Sequence, residues 1–118
     1  MDDEAVRARA QAVCDALATG DNERASEDFS VELRRNLGEV LALLPLPANE
    51  VEIESIERGG SGFNVVLRFA GEIDEVLVQT RWKERDGEPR MVEASHLAST
   101  VIAPAADDEL ADGAGDGA

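Results

Sequence analysis

Tyrosine is absent from this 118-residue chain, and the other aromatics amount to three Phe and one Trp. Any core must therefore be built mainly from Leu, Val, Ile and Ala, and no phenol is present to act as a buried hydrogen-bond donor. Basic residues are also few, eleven against twenty-six acids, and Lys83 is the only one that is not Arg. The resulting net charge of −15 opposes nucleic-acid binding, which needs clustered cations to neutralise phosphate. It equally opposes attachment to an anionic membrane surface. Basic partners or a well-solvated surface are what such acidity accommodates.

Cysteine is limited to Cys14, so no internal disulfide can form. Its neighbours on a helix are Ala and Val, which reads as a buried, inert thiol. One His and one distant Cys do not supply a metal-ligand set, and no EF-hand spacing occurs. No metal and no cofactor are expected. Gly59-Gly60-Ser61-Gly62 lacks the Lys-Ser/Thr ending of a phosphate loop and precedes no helix, so it is a turn. There is no Gly-x-Ser-x-Gly nucleophile elbow. Long apolar runs are missing too, and Met1 is followed by Asp2, Asp3 and Glu4. Neither a membrane span nor a secretory leader is predicted, and the expected compartment is the cytoplasm.

What is present is a change of period. Val6, Ala10, Val13 and Leu17 recur at helical spacing, predicting a first helix over 4–19 capped by Asp2 or Asp3. Gly20 suits the left-handed position after it, and Asp21 can cap a short helix near 22–28. Ser30 is placed to cap a third helix over 31–44 with a stripe of Leu33, Leu37, Val40, Leu41 and Leu44, ended by Pro45 and Pro47. Beyond Pro47 the period becomes two. Strands are predicted over 50–58, 63–70, 75–84 and 90–102, with Asp86-Gly87 as the best hairpin signal. Short turns between consecutive strands favour an antiparallel meander. The fold class is therefore α+β: N-terminal helices packed on a four-stranded antiparallel sheet in a single domain, 1–102. Residues 103–118 are Pro, Ala, Gly and unpartnered acids, and are expected to be a disordered acidic tail.

Two junctions carry a family resemblance. Ala16-Leu17-Ala18-Thr19-Gly20-Asp21 runs from an amphipathic helix through Gly-Asp into the next. Arg81-Trp82-Lys83, Asp86-Gly87 and Arg90-Met91-Val92 form a Trp strand, a tight turn and a return strand. Together they resemble the NTF2-like, or cystatin-like, superfamily over about residues 4–102. The resemblance implies a curved sheet wrapped round a helix to form a cone-shaped cavity. Members include ketosteroid isomerases, dehydratases and many proteins that only bind ligands or partners, so it implies a fold and a place to look. The long helix ending at Leu44 departs from the pattern and could fill part of the cone.

The expected cavity lining is Phe29, Leu33, Phe63, Val65, Leu67, Phe69, Val76, Val78, Trp82 and His96. His96, the only histidine, is a candidate general base, because imidazole titrates near neutrality. Asp28, beside Phe29 at a helix junction, is the carboxylate that could pair with it; as an ordinary strand-wall residue, His96 would instead have its nitrogens satisfied locally. On the opposite phase of the sheet Ile56, Val66, Leu77, Met91, Leu97 and Val101 interrupt the polar residues, predicting a homodimer through the outer sheet face. The leading expectation is non-catalytic binding of a small apolar ligand or a protein partner. The alternatives are a small cavity enzyme of isomerase or dehydratase type using His96 and a carboxylate, and an acidic chaperone-like dimer that clasps a partner segment.

Overall fold

A computed structural model of the chain describes residues 2–101. Four helices precede four strands: α1 (Asp3–Ala18), α2 (Asn22–Ser26), α3 (Val31–Arg35), α4 (Leu37–Leu43), β1 (Glu50–Gly59), β2 (Gly62–Ala70), β3 (Asp74–Arg85) and β4 (Glu88–Val101). The strands form one antiparallel sheet in the order β1-β2-β3-β4. The expected tail at 103–118 lies outside the described residues.

Local chemistry explains most element ends. Asp2 accepts a hydrogen bond from the Ala5 amide at 2.9 Å and caps α1. Gly20, at φ +81°, closes α1: its N–H reaches the Leu17 carbonyl, and the Asp21 N–H reaches that of Ala16 at 2.8 Å. Asp21 then caps α2 and Ser30 caps α3. Asp86 (φ 55°) and Gly87 (φ 81°) both occupy the left-handed region between the paired Arg85 and Glu88, as a tight two-residue hairpin with the twist of its strands requires.

The predicted helix over 31–44 is divided at Asn36. The Asn36 side-chain amide donates to the Glu32 carbonyl at 3.2 Å, the acceptor that its own backbone N–H would use in an α-helix. That N–H turns instead to Leu33 at 3.1 Å, and Gly38 gives the next turn little helical propensity. Only Val40 is buried in α4.

The core lies between α1 and the inner face of the sheet. Val6, Ala10, Val13, Cys14 and Leu17 pack against Phe63, Val65, Leu67 and Phe69 of β2 and Val76, Val78, Thr80 and Trp82 of β3. Trp82 is fully buried, its indole N–H donating to the Thr80 hydroxyl at 2.9 Å. That hydroxyl donates in turn to the Val65 carbonyl at 2.7 Å, so both buried polar groups are satisfied.

Three bulges revise the faces expected of β1 and β4. Glu54 is an extra residue between the pairs Ile53–Leu67 and Ser55–Val66, which brings Ile56 opposite Val65 on the inner face. Val92 is extra between Arg81–Glu93 and Trp82–Met91, so Met91 turns inward and is buried. Leu97 is extra between Leu77–Ala98 and Val78–His96, and beyond it Val101 falls on the inner phase. Each bulge flips the alternation of every residue after it. Of the six residues expected on the outer face, Val66 and Leu77 lie there in regular register, Ile56, Met91 and Val101 do not, and Leu97 occupies a bulge.

Gly62 sits where a Cβ would come 2.2 Å from the Trp82 carbonyl oxygen. Gly62→Ala is therefore expected to lower stability by about 1–3 kcal/mol, as overpacking against backbone does. Urea unfolding of the variant beside the wild type measures it; equal midpoints would contradict this packing.

Candidate functional site

Asp28 and His96, the two titratable side chains singled out by the sequence, are not brought together. After α2 the chain runs beside β4 as a short parallel bridge. The Met91 amide donates to the Asp28 carbonyl at 2.9 Å, and the Ser30 amide to the Met91 carbonyl at 2.8 Å. Phe29 is thereby driven into the core and Asp28 is held at the start of β4. His96 pairs with Val78 much further along that strand, roughly 15 Å away at the usual rise per residue. It lies on the inner phase as expected, but this end of β4 is exposed. The imidazole Nε2 lies 2.7 Å from the Ser99 hydroxyl. An acid–base pair between these residues is excluded by distance.

Asp28 has a different employment. Its carboxylate, 4% exposed, accepts hydrogen bonds from Arg9 at 2.9 Å and Arg24 at 3.1 Å, with Arg90 at 3.5 Å. Glu88 joins the knot through Arg9 at 2.8 Å and Arg90 at 3.3 Å. The hydrogen bonds to Glu88 and then Asp28 hold the Arg9 guanidinium above its ordinary pKa. Three guanidinium groups on one buried carboxylate, Arg9 and Arg90 at Oδ1 and Arg24 at Oδ2, tie α1, α2 and β4 together and take up most of its acceptor capacity.

The expected cavity lining is core instead. Phe29, Phe63, Val65, Leu67, Phe69, Val78 and Trp82 are each at most 1% exposed. A side chain bordering a space large enough for water would keep accessible surface towards it, so no such space adjoins these seven residues. Leu33 is half-buried at the margin and His96 lies outside. α1, through Val6, Val13 and Leu17, occupies the concave side of the sheet, and Val40 and Leu44 of the segment expected as a helix over 31–44 join the same core. Cys14 is part of that filling. Burial above all, then the charges of Asp15 and Glu52, pushes its thiol up to about 12.

Open hollows lie elsewhere. One of about 280 Å³ is bordered by Arg81, Lys83 and Arg85 of β3, Val92 and Glu93 of β4, and Glu32 of α3. A second, about 260 Å³, continues from it through Glu32 and Arg85 to Val31, Arg34 and Arg90. A third, about 400 Å³, lies at the end of α1 beside Leu17, Leu46 and Pro47 and has no titratable side chain in its wall. At the far end of the outer face Arg68 pairs with Glu75 at 2.6 Å, Glu50 at 3.1 Å and, closest, Glu52. Among the described residues, no group of three or more His, Cys, Asp or Glu is placed to hold a metal ion, and no helix is long and apolar enough to cross a membrane.

No family model matches the sequence, and no curated protein matches it. Solved structures do. An NTF-2-like protein of unknown function from Burkholderia xenovorans LB400 superposes with a TM-score of 0.58 at 14% identity, over 93% of this chain and 89% of that one. A protein from Kribbella flavida DSM 17836, provisionally assigned as a ketosteroid isomerase, gives 0.53 at 15% identity over 86% and 84%. The fold is NTF2-like. At such identities the likeness carries architecture alone. Within this NTF2-like architecture, the features that sequence reasoning missed are the Asp28 knot and the basic hollow. The Arg24–Asp28 spacing was a readable signal for the first, while Arg9 and Arg90 reach it only through the tertiary fold.

Two outcomes follow from these placements. Asp28→Asn should cost about 1–3 kcal/mol, less than a fully buried pair because the three arginines can be rehydrated. Chemical unfolding measures this, and an unchanged midpoint would contradict the clamp. For Cys14 the folded state holds its proton above the ordinary thiol value of 9.0. Its contribution to stability is thus complete below pH 9 and is lost as pH rises towards 12. At pH 8 a disulfide reagent should label the thiol only as fast as the protein unfolds; immediate labelling of the native protein would refute its burial.

Proposed function

We propose that this chain is a non-catalytic binding domain whose partner docks on the outside of the NTF2-like cone. The observation that carries this reading is the filled interior: the face from which a small apolar ligand or a substrate would be held is packed against α1 at 0–1% exposure. Two further features support it. Asp28 is committed to three arginines, and His96 is exposed with Ser99 as its near neighbour. General acid–base chemistry needs a donor and an acceptor converging on one reacting atom in a space that excludes water. Neither small-ligand binding within the cone nor an isomerase-like reaction there gains support from this arrangement. Partner binding does, because the open hollows are on the surface and two of the three described are lined by charge.

The ketosteroid isomerase assignment of one structural neighbour makes the test concrete. A ketosteroid incubated with this protein should show no isomerisation above buffer, and an apolar ligand should leave Trp82 fluorescence unchanged. Turnover that is abolished by His96→Ala or Asp28→Asn would overturn the reading.

A further inference from the structure

We infer that the trough formed by α3 and the β3–β4 hairpin binds a short, extended acidic segment of a partner protein. The inference deepens the proposed partner-binding role and rests on it.

Among the described residues four of the ten arginines, Arg9, Arg24, Arg68 and Arg90, have a carboxylate within salt-bridge distance. The trough gathers three of the other six together with Lys83, beside Glu32, Asp86 and Glu93 of its own walls. Arg34, Arg81, Lys83 and Arg85 have no carboxylate within salt-bridge distance among the described residues. Arg81 donates to the Asn64 side chain and the Gly59 carbonyl, and Arg85 to the Glu84 carbonyl. The side chains of Lys83 and Arg34 make no hydrogen bond or ion pair among the described residues. In a chain of net charge −15, four cations outside any salt bridge against three acids leave these adjoining hollows with a positive balance that an outside anion can meet.

Their spacing selects the shape of that anion. Arg81, Lys83 and Arg85 are alternate residues of β3, so their Cα atoms stand about 6.7 Å apart on one face. An extended peptide presents alternate side chains at the same interval, so carboxylates at every second position would meet all three. Val31, 52% exposed, and Val92 add apolar surface at the rim, favouring an aliphatic residue within the acidic stretch. Nucleic acid would also supply regularly spaced negative charge, but Phe29, Phe63 and Trp82 are buried and offer no stacking surface. A second copy of this chain could offer the Glu50, Glu52 and Glu75 cluster. Between that cluster and the trough, however, the large apolar residues are Val66 and Leu77 in regular outward register and Leu97 in its bulge, a small apolar area beside the roughly 800 Å² per partner of a stable interface.

The test uses a fluorescent peptide of about ten residues, with Glu at alternate positions and one Leu, titrated into the full chain and followed by anisotropy. Binding is expected, weakening with added salt, and absent when Gln replaces Glu. Lys83→Glu and Arg85→Glu should each weaken it about tenfold or more, with unchanged circular dichroism, while Arg35→Glu, outside the trough, should leave it intact. No binding, equal binding by the Gln peptide, or indifference to Lys83 and Arg85 would overturn the inference. So would tighter binding of a single-stranded oligonucleotide, or self-association in sedimentation that Lys83→Glu abolishes. Failure here without ketosteroid turnover removes the acidic partner alone; turnover removes the non-catalytic role itself.

Discussion

Close packing of a narrow helix into the concave side of the sheet is the constraint on which the rest of the molecule depends. Ala10 and Cys14, together with Val6 and Val13, give α1 a small-residue stripe that lets its backbone approach β1 and β2. The aromatic residues Phe63, Phe69 and Trp82 then fill the remaining width. Interiors packed in this way tolerate neither voids nor extra atoms. The same contact that stabilises the fold thereby removes the space in which a small ligand would sit.

Charge is distributed with similar economy. The Asp28 knot lies at the junction where α1, α2 and β4 meet, and there the carboxylate is almost fully buried and its arginines partly so. Removal of an arginine leaves the buried carboxylate short of a partner, whereas the arginines themselves keep access to water, which is why the net contribution of the knot is modest. On the outer face, Arg68 gathers glutamates at one end, and at the other the cations of β3 share a hollow with Glu32 and Glu93 without forming a salt bridge. The face is thus polar along its length, and specificity for a charged partner can arise from local potential despite the overall negative field, because salt screens that field beyond roughly 8 Å.

Much of the architecture was legible in the chain. The Gly20-Asp21 junction, the Ser30 cap and the Asp86-Gly87 hairpin each announce a local geometry through a residue whose backbone or side chain demands it, and each is found where it was expected. Alternation located all four strands. It could not locate the bulges, because Glu54, Val92 and Leu97 are ordinary strand residues and nothing local marks them as extra. A shift of one residue exchanged the faces of Ile56 and Met91 and altered the expected interface. Asn36 shows the same limit in a helix: its apolar neighbours keep the period while its side chain takes a backbone acceptor. The candidate site was less legible still. His96 was assigned to the correct phase, but whether a helix covers that end of β4 is a tertiary fact. Asp28 was singled out as a possible partner of His96, whereas its three actual partners are scattered from residue 9 to residue 90.

The filled cone is most directly tested by xenon, an apolar atom that enters dry voids and lacks any preference for polar surface. Methyl resonances of Val13, Val65, Leu67 and Val78 should show no saturable shift as xenon pressure is raised over a solution of the native protein. Saturable shifts centred on those methyls would reveal an apolar cavity between α1 and the sheet, and would contradict the account.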